Sequence, residues 1–191
     1  IEMFRAGLSL VSGDLAATHA HARLAMDMAA ANEDDVVRSG AAGLSGLAHW
    51  ACGELDEASR SYATCIDGLL RAQHLSDAIG CYLTVAEIQV EQGRLRAAQA
   101  TYAEAERVAA STNGEVVRGI ADIHVGQSQI ALAHGDIQTA REQLAAARSL
   151  GEERGLPHYP YRSRLAAAML AEAEGDLAGA LECVLEAQQV Y

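Results

Sequence analysis

The chain of 191 residues contains no lysine: all 14 basic residues are arginine, set against 26 acidic ones for a formal net charge of −12. Without lysine there can be no phosphate-binding G-x-x-x-x-G-K-[ST] loop, because that loop needs the ammonium to reach the phosphates. The acidic balance repels phosphate backbones, so no direct contact with nucleic acid is expected. Proline occurs twice and aromatics make up 4%. Nothing alternates with period two for long enough to build a sheet. No apolar run of roughly 18 residues occurs, as a spanning helix requires, and no signal-peptide pattern opens the chain. No membrane association is expected. The four cysteines (Cys52, Cys65, Cys81, Cys183) form no C-x-x-C pair and no disulfide framework. They read as buried free thiols of a cytoplasmic protein.

What is abundant is alanine, with 40 residues, accompanied by Leu, Glu, Gln and Arg. These are the strong helix formers, so the whole chain is expected to be helical. Half of it is apolar, enough to bury a core. Because it opens on Ile1 and ends on Tyr191 within a helical pattern, it is expected to be one repeat domain over 1–191 excised from a larger protein.

A hexad recurs along the chain. Gly53-Glu54-Leu55-Asp56-Glu57-Ala58 returns as Gly93-Arg94-Leu95-Arg96-Ala97-Ala98, Gly135-Asp136-Ile137-Gln138-Thr139-Ala140 and Gly175-Asp176-Leu177-Ala178-Gly179-Ala180. A weaker copy, Gly13-Asp14-Leu15-Ala16-Ala17-Thr18, ends in Thr. The glycines are separated by 40, 40, 42 and 40 residues. The pattern G-x-[LI]-x-x-A is expected by chance roughly 0.5 times in such a composition. Four even matches therefore mark a repeat.

The hexad has the chemistry of a helix–turn–helix. Gly closes one helix in the left-handed conformation, the acid that follows caps or charges the next N-terminus, and Ala allows close approach. First (A) helices are expected at about 2–12, 39–52, 76–92, 115–134 and 160–174. Second (B) helices are expected at about 15–31, 55–72, 95–111, 137–154 and 177–190. Breakers separate the pairs at 31–35, 73–76, 111–114 and 155–160, with Pro160 opening the last A helix.

Gly-acid-Leu-x-x-Ala followed four residues later by Tyr62 or Tyr102, with the small Gly46 seven residues before Gly53, resembles the tetratricopeptide repeat (TPR). The period of 40 exceeds the usual value of about 34, helix A lacks its Trp and Tyr, and the closing Pro is absent. Long, Ala/Arg-rich, lysine-free repeats of this kind look most like the TPR-like sensor region of MalT-like, LuxR-type bacterial transcription regulators. The resemblance implies an all-α, right-handed TPR-like superhelix of about five helix-turn-helix repeats. It also implies an ATP-binding switch module before this region and a helix-turn-helix module after it. The chain itself would be the part that senses a small polar effector or a protein partner. The other reading is a protein–protein scaffold with no small-molecule ligand.

In TPR-like register, the A helices would present Leu47 and Trp50, Leu83 and Glu87, Val125 and Gln129, and Arg162 and Met169 to a concave groove. Glu91 lies one turn after Glu87. The expected contact set is Trp50, Glu87, Glu91, Gln129 and Arg162, although Trp50 equally suits a helix junction. No cofactor and no metal site is expected. His19 and His21 diverge on a helix, His49 and Cys52 form at most a half-site, and His124 and His134 are too far apart to share an ion. No nucleophile elbow or glycine-rich loop occurs, and Glu87 with Glu91 reads as a solvated or Arg-paired face, so no enzymatic activity is expected. Tyr159-Pro160-Tyr161-Arg162 reads as a rigid turn over the last junction, or as a groove rim where Arg162 could take an anion. Glu33-Asp34-Asp35 reads as N-terminal helix charge, since no calcium-loop spacing follows.

Overall fold

The structure, a computed structural model, describes residues 1–31, 34–111 and 117–190. Among these it contains ten α-helices and no strand: α1 (Glu2–Val11), α2 (Leu15–Ala31), α3 (Asp35–Ala51), α4 (Leu55–Arg71), α5 (Leu75–Glu91), α6 (Leu95–Ala110), α7 (Ile120–Ala133), α8 (Ile137–Leu150), α9 (Tyr159–Ala173) and α10 (Leu177–Gln189). Contacts divide the chain into two compact units, Ile1–Gln92 and Gly93–Tyr191. In the first, α2 packs on α1 and α3, and α4 on α3 and α5; in the second, α7 packs on α6, α8 and α9, and α9 on α10.

The hexads form the turns expected of them. Gly93 and Gly135 have φ of 71° and 76°, and the Gly135 and Asp136 amides close the end of α7 by donating to the carbonyls of Leu132 and Ala131, both at 2.9 Å. The acid after glycine caps the next helix wherever it is Asp. Asp14, Asp136 and Asp176 accept from the amides of Ala17, Thr139 and Gly179 at 2.9, 3.0 and 2.9 Å. The final alanines Ala58, Ala98 and Ala140 are fully buried. Thr18, the exception at that position, is also buried and satisfies its hydroxyl on the Asp14 carbonyl at 2.8 Å. Gly46 serves as the small crossing position: a Cβ there would lie 2.9 Å from the Tyr62 ring.

Boundaries differ from expectation for local reasons. Helix α3 begins four residues early because the Asp34 carboxylate caps Val37 N at 3.0 Å. Of the acidic run 33–35, Glu33 lies outside the described residues, as do the expected breakers at 112–114 and the first two residues of the helix expected at 115–134. Residues 117–119 are not helical, and Gly119, at φ 99°, donates to the Arg154 carbonyl at 2.8 Å. Helix α8 stops at Leu150 because Gly151 turns to φ 74°, and a short 3-10 turn follows over Glu152–Arg154. Pro160 sits in the first turn of α9.

The expected breaker at 73–76 is in fact another tight turn of the hexad type. Gln73 occupies the glycine position with φ 60°, and the Gln73 and His74 amides donate to the carbonyls of Leu70 and Leu69 at 3.1 and 2.9 Å. A side chain there is strained, so Gln73→Gly should stabilise the protein by about 1 kcal/mol in denaturant melts. Gly135→Ala should destabilise it by a similar amount, although a Cβ there meets open space. Equal signs for the two changes would refute this account of the turns.

Alanine dominates the buried positions of both units. Two apolar stripes stay uncovered: Phe4, Leu8 and Val11 on α1, and Leu177, Leu181 and Leu185 on α10.

Candidate functional site

Two of the expected contact residues meet in the first unit. Trp50, in the last turn of α3, donates Nε1–H to Glu91 Oε2 of α5 at 3.0 Å. The indole is half-buried, packed on one side against Ala58, Tyr62 and Ile88. With Leu10, Leu47 and Ala51 it also lines an open apolar cavity of about 400 Å³. Trp50 thus fills part of a helix junction and still presents surface. Glu87 is half-buried one turn before Glu91.

In the second unit, Gln129 directs its amide at Met169 Sδ, 4.0 Å away, and Arg162 Nη1 lies 3.5 Å from Asp122 Oδ1. Two positions expected to line the groove do not. Leu83 and Val125 are buried, Val125 within the core that includes Ala121, Leu144 and Tyr159. These two branched side chains turn to the core instead.

The 159–162 segment, expected as a rigid turn or a groove rim, is instead the first turn of α9. Tyr159 is buried and donates its hydroxyl to the Ala147 carbonyl at 2.8 Å. Asp122, which sequence reasoning missed, anchors the loop before it. Its carboxylate is fully buried and accepts from Leu156 N at 2.8 Å, while Arg118 Nε donates to the Gly155 carbonyl at 2.9 Å. Burial pushes the Asp122 carboxyl above the usual carboxylate range, against the pull of the Leu156 amide and Arg162. No spacing signal marks this node, since its members are more than thirty residues apart.

A cavity of about 520 Å³ between α2, α3 and α4, its wall mixed apolar and polar, was also invisible in the sequence. Its lining includes His19, Arg23, Ser45, His49, Arg60, Ser61 and Thr64. The His19 and His49 ring centroids are 4.2 Å apart, tilted by 51°, and His49 Nδ1 shares a 2.6 Å hydrogen bond with Glu54 Oε2. Burial, then the neighbouring His49, depress the His19 pKa. The one local signal was a histidine four residues before a hexad glycine with a glutamate just after it, which meet across the turn.

The cysteines are free, but not all are buried. Cys52, at the end of α3, is exposed. The Cys65 and Cys81 sulfurs touch at 3.5 Å between α4 and α5; this thiol contact lowers the Cys65 pKa and raises that of Cys81.

Successive helix pairs joined by tight left-handed turns, with Gly or Ala where they cross, define a TPR-like helical repeat module. Solved structures share this fold. BtubC (BKLC) from P. vanneervenii superposes with a TM-score of 0.72 at 19% identity, covering 97% of this chain and 76% of that one. A chain of nearly identical TPR-like repeats from Podosopora anserina gives 0.65 at 14% identity, covering 99% and 92%, and MamA gives 0.59 at 13%, covering 99% and 89%. No curated protein sequence matches the chain. The chain belongs to the family of the MalT-like TPR region, whose family model matches residues 1–191. No helix among the described residues is long and apolar enough to cross a membrane.

Proposed function

We propose that residues 1–191 form the sensing domain of a LuxR-type bacterial transcription regulator, a cytoplasmic and non-catalytic module that binds a small polar effector or a peptide. The observation that carries this reading is the Trp50–Glu91 pair. An indole and a carboxylate from adjacent A helices are held together at 3.0 Å beside an open cavity. Such a pairing offers an apolar face and a hydrogen-bonding group to one ligand, the combination small-molecule sites use for orientation. Trp50, Glu87 and Glu91 are the contact residues of the first unit, and Gln129 and Arg162 those of the second. The uncovered stripes on α1 and α10 support packing against other modules of the same protein. With a net charge of −12, this part makes no direct contact with nucleic acid.

Glu91 is exposed and caps nothing, so Glu91→Ala should leave the melting curve in place while weakening effector binding about tenfold, the worth of one charge-assisted hydrogen bond. Trp50→Ala should weaken binding and also lower the melting midpoint, because the indole packs on Ile88. The scaffold reading differs in what surrounds the chain. A nucleotide-binding module before it and a helix-turn-helix after it support the regulator; a gene carrying neither supports the scaffold.

A further inference from the structure

We propose that His19, His49 and Glu54 bind one divalent transition-metal ion, with Zn²⁺ best suited to the donor set. Each offers one donor atom, and the three atoms lie within 4.8 Å of one another. They come from the second turn of α2, the last turn of α3 and the turn into α4, so folding assembles them. Two imidazoles and a carboxylate are a familiar zinc donor set that leaves a fourth position open. Magnesium and calcium prefer sites made wholly of oxygen.

A second observation points the same way. At the position after the hexad glycine, Asp14, Asp136 and Asp176 turn their carboxylates inward as helix caps. Glu54 makes no such cap. Its longer side chain reaches back across the turn to His49 instead, which withdraws it from the structural task of the repeat and places it with the histidines. Both histidines line the 520 Å³ cavity, so water or a small ligand can reach the open position. The ion needs only a slight opening of the 2.6 Å His49–Glu54 contact to sit between the two donors at about 2.0–2.2 Å from each.

The inference is independent of the Trp50–Glu91 reading, and its test leaves that pair untouched. Titrating the 191-residue chain with Zn²⁺ alone, by calorimetry in a non-chelating buffer, should show one ion per chain. Affinity should fall at least roughly tenfold in His19→Ala and Glu54→Gln, the lower end of what losing even an outer-shell partner costs a metal site. It should be unchanged in Cys52→Ser, which removes the exposed thiol near His49, and in Arg23→Ala. Bound Co²⁺ should give a visible absorption band that disappears in His19→Ala. Glu54 is exposed, so Glu54→Gln carries the test even if a histidine variant folds poorly. Less than one ion per chain, equal binding in Glu54→Gln and wild type, or loss of binding in Cys52→Ser would overturn the site.

Discussion

Replacing Asp122 with Ala is expected to cost about 2–4 kcal/mol, the range for breaking a buried, hydrogen-bonded charge pair with one partner at the surface. The change takes the acceptor from Leu156 N and the carboxylate from Arg162. It also frees the loop that holds Tyr159 over α8. Asp122→Asn keeps an acceptor for Leu156 and should cost less. The two variants also separate charge from packing through pH. In the folded protein Asp122 holds its proton to higher pH than in the unfolded chain. Its stabilising contribution is therefore complete below the ordinary carboxyl value of about 3.9. It declines as pH rises through the raised folded value. Relative to Asp122→Asn, wild type should lose stability over that window, measured by urea melts at stepped pH. A parallel pair of curves would show that the carboxyl is not perturbed.

Gly126→Ala is expected to destabilise the protein by about 1–3 kcal/mol, as overpacking does, although the same change in an ordinary helix interior stabilises by about 1 kcal/mol. A methyl on Gly126 of α7 would land on Cζ and Oη of Tyr102 from α6. Tyr102 is only 1% exposed, so the ring cannot swing out to make room. Tyr102→Phe removes the hydroxyl, one of the three clashing atoms. The double variant Gly126→Ala/Tyr102→Phe should therefore be less destabilised than the sum of its single changes. Additive losses would mean that the Tyr102 hydroxyl takes no part in the clash.

How far the sequence could be read follows from the range of the interactions involved. The hexad turns were legible because their chemistry is confined to six residues: a left-handed glycine, a capping aspartate and a small crossing residue all speak locally. Gly46 could be read for the same reason. Gln73 escaped notice because a non-glycine residue in the left-handed region leaves no compositional mark, so a tight turn passed for a longer linker. Helix α3 starts earlier than its sequence pattern suggests because Asp34, readable only as helix charge, is its side-chain cap. Trp50 and Glu91 could be placed together because the repeat period carries one A helix onto the next. Leu83 and Val125 could not be placed in this way, since a shift of one residue turns a side chain from groove to core. Asp122 with Leu156, and His19 with His49, pair across separations that only folding closes.

The central claim, that this TPR-like module senses a small polar molecule at the end of α3, is tested most directly by the emission of Trp50, the chain's single tryptophan. The chain should be titrated with a panel of neutral sugars, amino acids and nucleosides, each added alone, to wild type and Glu91→Ala. A saturable change in Trp50 emission is expected for one class of compound, shifted to higher concentration in Glu91→Ala. A flat signal across the panel, with a protein partner that alters Trp50 emission when added, would contradict it and establish the scaffold instead.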